Sequence, residues 1–356
     1  MPSLITEESV FKVLLWSIAA FTVAMAWTPL LTRYLYRHAM WRKRVREKTP
    51  DGYRPVEFQK LHGEHEVRVP RLGGLLIWVT TAILAAISWM LKEITDLPSL
   101  ERLNFVSRNQ TWLLLFTLIA ASLLGLADDL LQIYGRGRYA GGGMRFSRRL
   151  GVIIAIAIVG AWWFSEKLEV SSIHLPGNGD WELGWFFPIF FVITMLAVFS
   201  GSVIDGIDGL AGGVFATIFG AYGIIAFFQE QYDIAAFCGA IVGSTLAFLW
   251  FNVPPARFYM SETGVLGLTT TLTVVAFLTN AVAVLPIIGF VLAMESASVI
   301  LQFLSKRFRH GKKLFRVAPI HHHFEAIGWP PEKVTMRFWV ISAVCAILGV
   351  VIQLLG

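Results

Sequence analysis

Five carboxylates stand at three places where long apolar runs give out: Asp128-Asp129, Asp205 with Asp208, and Glu262. Ionised acids beside hydrocarbon are costly, so their recurrence asks for a counter-charge, and a divalent cation is the simplest candidate. Oxygen ligands without clustered Cys or His suit magnesium better than zinc. Asp205 and Asp208 are three apart, so a helix continuing through them would project both from one face. The glycines around them (Gly201, Gly206, Gly209, Gly212, Gly213) let backbone and ligand approach closely. Taken alone, Asp128-Asp129 reads equally well as an ordinary helix cap. Five acids on one side do not. The run His321-His322-His323 leaves the choice of metal unchanged. Consecutive side chains diverge on a helix and alternate on a strand, so one or two of the three are expected on a substrate and not all three on one ion.

The elements that must bring these residues together are membrane helices. With 356 residues, 56% hydrophobic and 15% charged, the chain has too few charges to clothe a soluble domain of its size. Runs of about 20 apolar residues, enough to cross a bilayer core, recur from end to end. The expected fold is an all-α polytopic membrane protein, a single integral domain over 1–356. Its ten transmembrane helices are expected at 11–32, 72–91, 111–127, 150–164, 185–203, 210–228, 234–251, 264–279, 281–304 and 338–355. The first run has no small-residue cleavage site behind it and is followed by Arg42-Lys43-Arg44-Val45-Arg46, so it reads as a retained helix and not a signal peptide. Cys238 and Cys345 fall inside spans and read as small core residues, not a disulfide or a metal site.

Lysine and arginine set the orientation. The segments 33–71, 128–149, 252–263 and 305–337 hold 25 of the 30, which makes them cytoplasmic and, with an even number of spans, puts both termini outside. The net charge of +6 is thus a signal of sidedness, with attraction to anionic lipid heads as its bland reading, and no sign of nucleic-acid binding. On the outer, periplasmic side, 168–183 alternates polar and apolar residues around Gly177-Asn178-Gly179-Asp180 and predicts a short β-hairpin without chemistry.

The motifs also carry a resemblance. LGLADD (124–129), IDGIDGLAGG (204–213) and FLWFNVPPARFYMSETG (248–264) resemble the three acidic motifs of the polyprenyl-phosphate N-acetylhexosamine-1-phosphate transferase superfamily. LFRVAPIHHHFEAIGWPPEKVTMRFWVIS (314–342) is similar to the loop and last helix of its phospho-N-acetylmuramoyl-pentapeptide-transferase branch, and APIHHHFE is the most specific of these motifs. The likeness runs from about residue 62 to the end, with the motifs in the expected order. It implies a ten-helix fold with a cytoplasmic catalytic cleft in a bacterial inner membrane, a homodimer, and a Mg2+ cofactor. The implied reaction takes UDP-N-acetylmuramoyl-pentapeptide and undecaprenyl phosphate to lipid I and UMP. Departures from the pattern are Glu262 for an aspartate, Ser202 for an asparagine, Gln132 and Arg149 for lysines, and Glu66 for another lysine. Val69-Pro70-Arg71-Leu72-Gly73-Gly74 is closer to relatives that transfer N-acetylglucosamine phosphate.

On this reading Asp205 is a metal ligand, Glu262 is the second, and Asp208 shapes the site. Asp128 or Asp129 takes the last proton from the lipid phosphate or orients it. Asn252 bonds within the cleft or to uridine, and His321, His322 and His323 contact the donor's phosphates or sugar. Arg149 clamps phosphate, while Arg71 with Arg68 supplies the charge missing at Glu66. Glu295, inside the ninth span, reads as a buried hydrogen-bonded acid. The alternatives are a UDP-N-acetylglucosamine enzyme of the same superfamily, a catalytically altered scaffold, and a transporter, which would place its acids at the midplane instead of at the helix ends.

Overall fold

The computed structural model describes residues 7–43, 67–94, 102–107, 109–136 and 143–356; Arg44, Val45, Arg46 and Glu66 lie outside them. The helices are α1 (Glu7–Arg37), α2 (Leu75–Ile94), α3 (Asn109–Ile133), α4 (Phe146–Lys167), α5 (Phe187–Ser200), α6 (Leu210–Phe228), α7 (Tyr232–Asn252), α8 (Ser261–Leu278), α9 (Leu285–Ile288), α10 (Phe290–Phe308), α11 (Ile320–Ala326) and α12 (Pro331–Leu355). Helices are what lipid permits, because each satisfies its own backbone where no water can. Among the described residues, eight segments are long and apolar enough to cross a membrane. Leu75–Leu91 is apolar but shorter. Phe290–Phe308, also long, is diluted by Glu295, Lys306 and Arg307. The protein is an all-α polytopic membrane protein.

The ninth span departs from expectation. Instead of one helix over 281–304, a single turn at Leu285–Ile288 precedes Phe290–Phe308. Pro286 fits only the first turn of a helix, so α9 starts there, and Gly289, with φ −90° and ψ 22°, lies outside helical geometry.

Helix α8 is the central post. It is surrounded by α2, α3, α5 and α6, and every residue from Thr263 to Leu278 is buried. Several of its threonines are compatible with that burial because their hydroxyls turn back onto the helix: Thr269 Oγ1 donates to the Val265 carbonyl and Thr270 Oγ1 to the Leu266 carbonyl, each at 2.8 Å. Around the post, α1 packs along α7, α7 along α6, and α6 along α12.

The two ends of the bundle differ. Helix α8 starts among the acids and ends near Asn280, whose Oδ1 accepts the His174 amide at 3.0 Å. His174 belongs to the two-stranded antiparallel pair Ser172–Leu175 and Gly179–Glu182, in which His174 faces Asp180. The Gly177 amide in its turn donates to the Gly356 carbonyl at 3.0 Å, so the hairpin and the C-terminus share the end away from the acids. Lys12 lies at that end too, bonded to Asp233 at the start of α7 and to the Asn104 carbonyl at 2.8 Å. Cys238, inside α7, is a free, buried thiol.

Helix α3 lies close against α8 at Gly125, where any side chain would collide with the backbone carbonyl of Glu262. Gly125→Val is expected to lower stability by about 1 to 3 kcal/mol. The readout is the thermal unfolding midpoint in detergent; an unchanged midpoint would show that α3 and α8 separate without penalty.

Candidate active site

A helix start leaves amide hydrogens without acceptors inside the helix. At the start of α8 two carboxylates from elsewhere accept them. Asp205 Oδ2 takes the Ser261 amide at 2.7 Å, and Asp129 Oδ2 takes the Thr263 amide at 2.9 Å. Glu262 lies between these two anchored residues. Ser261 holds φ at 58°, a left-handed value that a serine adopts only under constraint, and the Asp205 contact falls on that residue.

Each acid reaches this place on a different element. Asp128 and Asp129 sit in the last turns of α3. Asp205 and Asp208 do not project from one helix face as the spacing predicts, because the helix does not persist. Helix α5 stops at Ser200, a 3-10 turn covers Gly201–Ile204, and α6 begins at Leu210. Gly209, at φ 78°, turns the chain in a conformation other residues resist. The two acids instead bind separate amides of the segment leading into α8, Asp205 that of Ser261 and Asp208 Oδ2 that of Ala256, at 2.9 Å. Asn252, at the end of α7, closes the same turn: its Oδ1 accepts the Gly209 amide at 3.0 Å and its Nδ2 donates to the Phe258 carbonyl at 2.9 Å. Thr335 and Trp339 of α12 donate to the carbonyls of Asp208 and Gly209.

Two guanidiniums serve the acids. Arg71 Nε donates to Asp129 Oδ1 at 3.1 Å. Its segment is fixed by backbone pairing, with the Tyr259 amide on the Pro70 carbonyl at 2.9 Å and the Gly73 amide on the Tyr259 carbonyl at 2.8 Å. Arg149, in the first turn of α4, places Nη1 2.6 Å from Glu262 Oε1 and 3.4 Å from Asp128 Oδ2. Asp128 also accepts Gln132 Nε2 at 2.7 Å and the Met144 amide, and Gln132 is met in turn by Arg42.

Burial works against the Arg71 charge, but Asp129, then Glu262 and Asp205, outweigh it and raise its pKa. Burial pushes the Asp205 carboxyl up to about 6; the Ser261 amide and Arg71 oppose the rise, and Glu262 and Asp208 add to it. Among the described residues, five acids here meet the guanidiniums of Arg71 and Arg149. Among the described residues, two carboxylate oxygens close to the α8 start, Asp205 Oδ1 and Glu262 Oε2, accept no hydrogen bond. No three described His, Cys, Asp or Glu side chains there form a ready-made chelate. An all-oxygen pair with open coordination fits magnesium, which keeps several waters and takes one or two carboxylates plus phosphate oxygens.

The histidines divide. His321 and His322 are buried and turned toward Gly206, where a side chain would collide with His321 Nε2 and lie 2.9 Å from His322 Nε2. His323 points elsewhere, its Nδ1 accepting the Arg316 amide at 3.2 Å. The site thus gathers Asp128, Asp129, Asp205, Asp208, Glu262, Arg71, Arg149, Asn252, His321 and His322, and leaves His323 at its rim.

Sequence reasoning missed Arg42, Thr335 and Glu325. Glu325 carried a signal, since it is three residues from His322 and an (i, i+3) pair shares a helix face; its Oε2 lies 2.6 Å from His322 Nδ1. Arg42 and Thr335 reach the site only through the tertiary fold and left no local trace.

Comparison with known proteins now bears on these residues. A family model described as glycosyl transferase family 4 matches residues 111–280. A phospho-N-acetylmuramoyl-pentapeptide-transferase of Levilactobacillus brevis is 36% identical over 343 residues, covering 95% of this chain and 98% of its own. Proteins of the same name from Geobacillus thermodenitrificans and Listeria innocua are 32% and 41% identical, over 94% and 67% of this chain and 95% and 74% of theirs. The chain belongs to the phospho-N-acetylmuramoyl-pentapeptide-transferase family. It is therefore an enzyme of the phosphoglycosyl transferase class, and the acidic cleft at the α8 start, all of it but Arg71, His321 and His322 inside the matched segment, is its candidate active site.

Removing Arg71 would leave the buried Asp129 with the Thr263 amide but without its counter-charge. Arg71→Ala is expected to destabilise the protein by about 3 kcal/mol, and adding Asp129→Asn should restore part of the loss. Thermal unfolding of the two variants in detergent checks this; additive losses would mean that the pair is not coupled.

Proposed function

We propose that the protein transfers phospho-N-acetylmuramoyl-pentapeptide from its UDP donor to undecaprenyl phosphate, giving lipid I and UMP. The reaction takes place at the cytoplasmic face of a bacterial inner membrane, with both termini periplasmic. The observation that carries the reading is the open carboxylate pair, Asp205 Oδ1 and Glu262 Oε2, on the strongly acidic side of a cleft otherwise lined by cations and imidazoles. The names of the relatives supply the sugar and the peptide.

In this reading an ionised oxygen of undecaprenyl phosphate attacks the donor phosphorus that carries the sugar. A new P–O bond forms, the bond to the UMP oxygen breaks, and UMP leaves with the electron pair. Attack by an oxygen already ionised needs little base assistance. Asp205 and Glu262 would hold Mg2+, which when bound neutralises pyrophosphate charge and stabilises the departing phosphate. Asp128 and Asp129 take the orienting role: their oxygens are engaged by Gln132, Met144, Arg149, Arg71 and Thr263, and through these bonds they aim the two guanidiniums at the cleft. Arg149 bridges Asp128 and Glu262 with one nitrogen, and its planar guanidinium suits a phosphate oxygen. Asp208 and Asn252 shape the turn that presents Asp205. His321 and His322 contact the donor.

The test is UMP release by purified protein given undecaprenyl phosphate, Mg2+ and either UDP-N-acetylmuramoyl-pentapeptide or UDP-N-acetylglucosamine. Release is expected only from the first, and Asp205→Asn is expected to reduce it by about a thousandfold while the protein stays folded. Release from the second donor alone would reassign the sugar. No release from either, with saturating Mg2+, would make the chain a scaffold.

A further inference from the structure

An ionisable side chain inside a membrane helix is expensive and asks for a reason. Glu295 on α10 is wholly buried, and so is His321 on α11; His321 Nδ1 lies 2.8 Å from Glu295 Oε2. The second Glu295 oxygen, Oε1, and the second ring nitrogen, His321 Nε2, are both buried without a hydrogen-bond partner among the described residues. Packing does not explain this arrangement, since an apolar side chain of similar size would fill the same space without burying an acid.

An ionised Glu295 would fix the tautomer. A carboxylate only accepts, so the hydrogen facing it would sit on Nδ1 in either charge state of the ring. Nε2 is left as the working atom, and it lies against Gly206, in the turn between Asp205 and Asp208. His322 repeats the pattern with Glu325, and the two rings stand 4.1 Å apart. Among the described residues His323 has no such carboxylate, and its Nδ1 accepts the Arg316 amide instead.

We propose that Glu295 is a positioning residue for the transfer reaction. Acting through His321, it holds Nδ1 as donor toward the membrane interior and turns Nε2 onto the Asp205–Asp208 turn, where it meets a phosphate or sugar oxygen of the donor. This rests on the function proposed above for the same cleft. A carboxylate behind a working imidazole does the same in metal sites, where removing it costs tenfold or more.

The experiment uses full-length protein in detergent, as wild type, Glu295→Gln, His321→Asn and the double variant. Glutamine keeps the size but offers Nδ1 both an acceptor and a donor, so both tautomers become accessible. Glu295→Gln is expected to lower kcat/KM for the UDP donor on the order of tenfold, with no matching fall in the thermal midpoint. In the His321→Asn background the same change should cost nothing further, because its effect travels through that ring. Nitrogen NMR shifts of 15N-histidine protein, assigned by subtracting the His321→Asn spectrum, should show Nδ1–H for His321 in wild type and a mixed population in Glu295→Gln. Losses that multiply in the double variant, or a wild-type ring protonated on Nε2 alone, would overturn the proposal. The nitrogen measurement needs no turnover, so it decides the pairing even if the wild type releases no UMP.

Discussion

The buried start of α8 needs acceptors for its first amides, and they come in trans from Asp129 on α3 and Asp205 in the α5–α6 turn. Hydrogen bonds from backbone amides to charged acceptors contribute roughly 1.5 to 3 kcal/mol each, so these two contacts are structural as much as chemical. They also fix what each acid has left over. Asp129 spends its second oxygen on Arg71, whereas Asp205 keeps one oxygen open. Glu262, between the two amides, inherits its position from them. The same bonds that let α8 begin inside the bundle therefore set the spacing of the candidate site.

Much of this was legible in the sequence, for physical reasons that can be named. Long apolar runs mark spans because lipid leaves the backbone no alternative to helix, and nine of the ten expected segments each match one helix. The acids were found because charge beside hydrocarbon is conspicuous. Two features were not legible. The break at Gly289 lies between apolar residues on both sides, and Pro286 was the hint of it. The unwinding at Asp205 was masked by spacing: residues three apart suit a helix face, while the glycines that argue for a turn also suit close helix packing. Partners such as Arg42 and Thr335 are joined to the site by contacts spanning 90 and 127 positions, for which no local pattern exists.

The departures at 149 and 262 read differently once seen together. Glu262 Oε1 meets Arg149 Nη1 at 2.6 Å, and the same nitrogen approaches Asp128. A guanidinium has a planar fork of donors and can bridge two acids while keeping others for a ligand; an ammonium offers a point charge on a flexible stem. The longer carboxylate and the larger cation thus act as a matched pair, linking α3, α4 and α8 on one side of the cleft.

Among the described residues, polar groups within the spans are mostly uncharged, and Glu295 stands apart from them. Within the spans most are small hydroxyls, several of which bond back to their own helix, as Thr269 and Thr270 do in α8. Charges stand at helix ends, where unwound backbone supplies amides and water is near. Glu295 lies within α10 with a histidine nitrogen as its side-chain partner and one oxygen unbonded. Desolvating that acid opposes stability, and the single bond to His321 does not offset it fully. What the pair does supply is orientation, in a ring whose outer nitrogen lies against the turn carrying Asp205. A cost borne in the membrane interior that returns only at the cleft is best understood as part of the cleft's chemistry.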